Sequence, residues 1–238
     1  MAGRAPIIVP ALKRHTATVI VAHGLGDSGT GWLFLAENYR RRSVFEEVAF
    51  VFPHAPNIPV TLNMGMKMPG WYDIKSLSTL QDREEDEQGI LRSRDYFHSL
   101  IDAEVAKGIP ANRVVIGGFS QGGAMALLSG ITYKEPLGGI FGLSCYLLLH
   151  KKIKDLIPEN NPNQNTPIFM GHGDKDQVVA HKYGTMSAEA LKEMKYDVTF
   201  NTYKGLPHSA DDEELDHLEE FLNKRIPALG EIKKEESL

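Results

Sequence analysis

The segment Gly118-Phe119-Ser120-Gln121-Gly122 has the G-x-S-x-G spacing of a nucleophile elbow. It follows the strand-like Arg113-Val114-Val115-Ile116-Gly117 and precedes the helix-like Gly123-Ala124-Met125-Ala126-Leu127-Leu128. An elbow turns so sharply from strand to helix that its serine takes a strained backbone conformation, and the residues two before and two after must be nearly side-chain-free. Gly118, Gly122 and Gly123 meet that demand; the competing reading is a glycine-rich turn that only caps a helix. A serine hydroxyl is a weak nucleophile at neutral pH, so a histidine must take its proton and a carboxylate must orient that histidine. After such an elbow the partners follow in the order acid, then histidine.

Of the histidines after Ser120, His208 lies in the short loop Lys204-Gly205-Leu206-Pro207-His208, between the last expected strand and the last helix, and is chosen as the base. His217 falls within that helix beside Asp216 and reads as solvated, while His150 and His181 read as surface residues. The acid belongs after the preceding strand, where Gly171-His172-Gly173-Asp174-Lys175-Asp176 offers two carboxylates that spacing does not separate. One of them is free to support the turn through the backbone. The acidic run Asp82 to Glu87 opens a helix, where negative charge suits the dipole. Acyl transfer also needs N–H donors aimed at the developing oxyanion. One is expected from Gln121, after the nucleophile, and the other from Leu25 in His23-Gly24-Leu25-Gly26-Asp27, with His23 bracing that loop.

These residues need a scaffold. Short apolar runs alternate with segments of helical period, as in parallel strands joined by helical crossovers. Strands are expected at Thr16 to Ala22, Val48 to Phe52, Arg113 to Gly117, Gly139 to Ser144, Pro167 to Gly171 and Val198 to Tyr203. Helices are expected from Glu84 to Lys107, from Gln121 to about Tyr133, from about Lys182 to Met194, and from Ala210 to Arg225, the last opened by a Ser209/Asp212 capping box. His54 to Leu80 is long and rich in Pro, Met and Asn, without clear period, and such loops are commonly functional. The alternating Met64, Met66 and Met68 would suit either a flexible lipid chain or a short half-buried strand.

The 238 residues are 42% hydrophobic and 24% charged, which fits one globular domain with termini, about 1–6 and 228–238, expected to be flexible. A net charge of −5 gives no general attraction to phosphate, so nucleic acid is not expected as a partner. Cys145 is the only cysteine, which excludes an internal disulfide and the usual structural zinc spacings. Leu137 to Leu149 is apolar but interrupted and much shorter than the roughly 20 residues of a spanning helix. No secretory signal or lipidation box is evident, so the cytoplasm is the expected compartment, with the nucleus as an alternative.

Over about residues 7 to 225 the chain resembles the acyl-protein thioesterase and lysophospholipase branch of the phospholipase/carboxylesterase family of α/β-hydrolases. The resemblance rests on His23-Gly24-Leu25-Gly26-Asp27 with Gly31-Trp32, Pro53-His54-Ala55-Pro56, Val60-Thr61-Leu62-Asn63, Pro69-Gly70-Trp71-Tyr72-Asp73, Gly117 to Gly123, Leu143-Ser144-Cys145, His172-Gly173-Asp174-Lys175-Asp176 and Pro207-His208-Ser209, in the family's order. It implies a mostly parallel central sheet flanked by helices, in a single domain. It also implies Asp176 as the catalytic acid, completing Ser120 and His208. The implied reaction is hydrolysis of long-chain acyl groups from protein cysteine thioesters, or of lipid esters such as lysophospholipids, without metal or organic cofactor. The resemblance further implies an acyl channel with Ile74, Leu77 and Leu80 from the segment after Trp71, and Leu25 as a wall. An apolar channel mouth would suit transient membrane contact or a weak homodimer.

Two departures stand out. The chain starts Met1-Ala2-Gly3-Arg4, without the N-terminal cysteine that mammalian cytosolic relatives can acylate. Where relatives often read Cys-Trp-Leu-Pro, it has Cys145-Tyr146-Leu147-Leu148.

Overall fold

A computed structural model describes residues 4–75 and 84–230. In chain order the elements are β1 (Ile7–Val9), β2 (Ala17–Ala22), α1 (Leu33–Arg41), β3 (Val48–Phe52), β4 (Asn57–Val60), β5 (Met66–Pro69), α2 (Glu87–Ala106), β6 (Val114–Phe119), α3 (Gln121–Ile131), β7 (Gly139–Leu143), α4 (Ile153–Leu156), β8 (Ile168–Gly173), α5 (His181–Glu193), β9 (Val198–Tyr203) and α6 (Asp212–Arg225). Seven strands form one sheet in the order β1-β3-β2-β6-β7-β8-β9. Only β1 runs antiparallel to its neighbour.

The sheet is buried on both faces, which is why β2, β3, β6, β7 and β8 read as continuous apolar runs without alternation. On one face Ile20, Ile116 and Ile140 pack with Ile90, Phe97 and Ile101 of α2 and with Met125, Leu127 and Leu128 of α3. On the other, Val19, Val21, Val115 and Phe141 pack against Leu35 and Tyr39 of α1 and Leu218 and Leu222 of α6. Register places the carboxyl ends of β2, β6, β7, β8 and β9 along one rim, and the loops leaving that rim carry the site. Among the described residues, no helix is long and apolar enough to cross a membrane.

The expected strands form, with shifted ends: Arg113 closes a 3-10 turn and β8 extends to Gly173. Helices α1 and α4 form where no element is expected, and three further local features differ from expectation. Ile7–Val9, cut off by Pro10, is an edge strand paired to Val51 and its neighbours. The aperiodic 54–80 segment contains the hairpin β4–β5, in which Asn57 faces Pro69 and Val60 faces Met66. Its strands form a separate small sheet and bury little; Met66 and Met68 lie on β5, the short-strand reading of the methionine alternation, while nothing periodic marks β4. Finally, α6 is capped by Asp211, whose Oδ1 accepts from Glu214 N at 2.9 Å, and not by Ser209, whose hydroxyl turns to the Ala210 carbonyl. At the C-terminal end, Glu47 accepts from the amides of Leu229 and Gly230, tying the chain down as far as residue 230.

Candidate active site

Ser120 sits between β6 and α3 at φ 53°, ψ −123°, a strained conformation for a residue with a side chain. The turn is possible because its neighbours are glycines. A Cβ on Gly118 would lie 2.4 Å from the Ala22 carbonyl oxygen, and one on Gly122 2.3 Å from the same atom. The sharp turn is held by Ser120 N donating to Leu143 O at 2.8 Å.

The loops after β8 and β9 bring the other two groups to the serine. His208 Nε2 lies 3.0 Å from Ser120 Oγ, and His208 Nδ1 lies 2.7 Å from Asp176 Oδ2. A carboxylate only accepts, so Nδ1 carries the proton and Nε2 presents its lone pair to the serine hydroxyl. Asp176 is buried and its other oxygen, Oδ1, accepts from the amides of Val178 and Val179, both at 2.8 Å. Those two bonds fix the carboxylate plane. His172 packs behind it, donating Nε2–H to Val179 O at 2.8 Å, with burial holding its pKa below the usual histidine value. The Phe119 ring flanks His208, centroids 4.7 Å apart.

Asp174 is not part of this relay. Its Oδ1 accepts from Gly205 N at 2.6 Å, clasping the turn that leads out of β9. His217 is half-buried, with Nδ1 3.1 Å from Tyr203 Oη, so the expectation of a solvated helix residue does not hold. His181 bonds Thr202. His23 braces its loop: Nε2 accepts from Ala55 N at 3.1 Å, and Nδ1 lies 2.7 Å from Gly24 O.

That loop abuts the nucleophile, since a Cβ on Gly24 would approach Ser120 Cβ to 3.3 Å. Leu25 follows directly, and its side chain lies against Gly70. Gln121, as the first residue of α3, has an amide with no helical carbonyl to take it. Its side chain has a use that the sequence did not signal. Oε1 accepts from Trp71 N and Nε2 donates to Tyr72 O, both at 2.8 Å.

Of the residues expected to line an acyl channel, Leu77 and Leu80 lie outside the described residues. Ile74 borders a small cleft of about 10 Å³ with Tyr72, Tyr146 and Leu148. Tyr146 reaches Tyr72 hydroxyl to hydroxyl at 2.9 Å, so the departure at this position places a polar contact between two segments that flank the cleft. A larger groove of about 260 Å³, lined by Phe169, Asn201, Phe221 and Lys224 among others, contains no residue of the relay.

The Phospholipase/Carboxylesterase family profile matches residues 4–226. Acyl-protein thioesterase 1 of Emericella nidulans is 61% identical over 232 residues, covering 95% of this chain and 97% of that protein. Acyl-protein thioesterase 1 of Neurospora crassa is 55% identical over 240 residues, covering 100% of this chain and 98% of that one. The solved structure of Zea mays acyl-protein thioesterase 2 is similar with a TM-score of 0.83 at 31% identity, covering 94% of this chain and 100% of that one. The chain therefore belongs to the phospholipase/carboxylesterase family of α/β-hydrolases, in its acyl-protein thioesterase branch.

Proposed function

We propose that this protein removes long-chain acyl groups from cysteine thioesters of proteins, with Ser120 as nucleophile, His208 as base and then acid, and Asp176 as the orienting carboxylate. The observation that carries the reading is the unbroken relay from Asp176 Oδ2 through His208 to Ser120 Oγ, at 2.7 and 3.0 Å. His208 takes the hydroxyl proton as Oγ bonds to the thioester carbonyl carbon. The amides of Leu25 and Gln121 receive the oxyanion. As the tetrahedral intermediate collapses, the C–S bond breaks and the thiolate takes the proton from His208. A cysteine thiol has a pKa of about 8.5, so this leaving group departs with less help than an alkoxide. Water then attacks the acyl-enzyme, giving its proton to His208, and Ser120 leaves protonated with release of the fatty acid.

Ser120→Ala is expected to abolish turnover of a palmitoyl-thioester peptide while retaining the wild-type melting temperature. Retention of near wild-type turnover would remove Ser120 from the mechanism.

The narrowness of the cleft at Ile74 favours a second reading, in which short-chain oxyesters are the better substrates. Comparison of kcat/KM on acylated peptide, lysophosphatidylcholine and short-chain esters decides between them. We propose the cytoplasm as the compartment of the reaction. Membrane-borne substrates are reached by transient contact through the β4–β5 hairpin, where Leu62, Met64 and Met66 are exposed, Met64 at 87%. Met64→Asp should lower binding to phospholipid vesicles severalfold and leave hydrolysis of a soluble short-chain ester unchanged; equal vesicle binding would assign the contact elsewhere.

A further inference from the structure

The two amides assigned to the oxyanion come from separate elements, Leu25 from the loop after β2 and Gln121 from the first turn of α3. An oxyanion site works only if its donors hold their directions before charge develops. We infer that Trp71 and His23 are positioning residues that set the direction of the Leu25 N–H and its separation from the Gln121 N–H. The inference rests on the assignment of Ser120 as nucleophile.

Trp71 is buried between the two sides and bonds each of them. Its indole Nε1–H donates to His23 O at 2.8 Å, and its backbone N–H donates to Gln121 Oε1 at 2.8 Å. Gln121 Nε2 returns a bond to Tyr72 O, so the side chain next to the nucleophile clamps residues 71 and 72 at two points. Ser93 Oγ donates to Trp71 O from α2, and the ring packs edge-on against Phe97, centroids 4.8 Å apart. The strut is therefore anchored in the core and not merely in a loop.

On the other side, the peptide planes leading to Leu25 are pinned in succession. Because His23 Nε2 accepts from Ala55 N, the ring proton is on Nδ1, which donates to Gly24 O. Burial holds the His23 pKa below its usual value, consistent with this neutral form. Gly24 O belongs to the same planar amide as Leu25 N–H, and in a trans peptide the two point in opposite directions. Fixing the oxygen fixes the N–H, and withdrawing electron density at the oxygen strengthens it as a donor. Trp71 Nε1 holds the preceding His23–Gly24 plane in the same way.

The test removes the indole N–H and keeps the packing. Trp71→Phe, and the closer isostere 3-benzothienylalanine at position 71, are assayed on a soluble acyl thioester. The expected result is a kcat about tenfold lower with KM within twofold. A trifluoromethyl ketone that forms a tetrahedral adduct on Ser120 should weaken by the same factor, and the pH midpoint of kcat/KM should not move, because His208 and Asp176 are untouched. A lower melting temperature with kcat and analogue affinity within twofold of wild type, in the isostere, would overturn the inference and reduce Trp71 to a packing residue. Fluorophosphonate labelling of the wild-type protein separates the two levels. No adduct on Ser120 would remove the active-site assignment and this inference together, whereas an adduct with kinetically silent variants would remove the strut alone.

Discussion

Two aspartates two residues apart, Asp174 and Asp176, have separate tasks that follow from where each oxygen points. Asp176 gives one oxygen to His208 and the other to two backbone amides, while Asp174 gives its oxygen to Gly205. Asp176→Asn puts an NH2 or a poorer acceptor against Nδ1 and favours the wrong tautomer, so kcat should fall by about 10³ to 10⁴ with little change in KM. Asp174→Asn weakens a turn hydrogen bond, costing about 1 kcal/mol of stability and leaving kcat within a fewfold. Turnover and urea denaturation of both variants check the pair; greater loss of turnover in Asp174→Asn would reverse the assignment.

At the level of elements, the segment after β5 and the turn after β7 meet at the cleft beside Ile74. Thr61 bonds both oxygens of Asp73 through its amide and hydroxyl, and Asp73 N donates to Asp86, the cap of α2, so the hairpin is tied to the helix that backs the site. Across the cleft, the Tyr72–Tyr146 hydroxyl bond joins the segment after β5 to the turn after β7. Tyr146→Phe breaks that bond at a cost of about 1 kcal/mol in stability. It should also raise the kcat/KM ratio of palmitoyl over octanoyl substrates severalfold. An unchanged ratio would place the acyl chain away from this cleft.

For the whole molecule, the pH dependence of stability is set by buried groups far apart in sequence. Glu214 on α6 lies buried under β8 against Gly171, with no hydrogen-bond partner for either carboxyl oxygen among the described residues, and desolvation pushes its pKa up to about 8. The native state therefore binds a proton more tightly than the unfolded chain between about pH 4.5 and 8. This group's stabilisation is full below that window and is lost as pH rises through it. The buried His23 and His172 and the half-buried His98 act oppositely. Their native pKa values lie below 6.5, so their stabilisation is full above that value and is lost as pH falls beneath it. Between pH 6.5 and 8 Glu214 is the only one of these four groups with a sloping contribution. Wild-type stability should decline there by up to about 1.4 kcal/mol per pH unit, and Glu214→Gln should flatten that limb while sparing the acid limb. Urea denaturation at stepped pH measures both; an identical alkaline limb in the variant would contradict a protonated Glu214.

What the sequence determined by itself is whatever short-range forces decide. Doubly buried strands show as unbroken apolar runs, α2 and α6 show their period, and the elbow shows as glycines because a Cβ at 118 or 122 has nowhere to go. The order of serine, acid and histidine came with the nucleophile elbow, and the rim on which they meet follows from parallel connections. Spacing left Asp174 and Asp176 open and the family resemblance implied Asp176; the tertiary structure shows why it is the one that faces His208, because a carboxylate's partner depends on the loop geometry across β8 and β9. The Asp211 cap is a local signal, with Glu214 three residues on, that the Ser209/Asp212 reading passes over, and the methionine alternation gives a strand at β5 as one of two readings. The clamp of Trp71 on His23 and Gln121 was hidden, because a hydrogen bond between residues tens of positions apart leaves no periodic trace in the order of the chain.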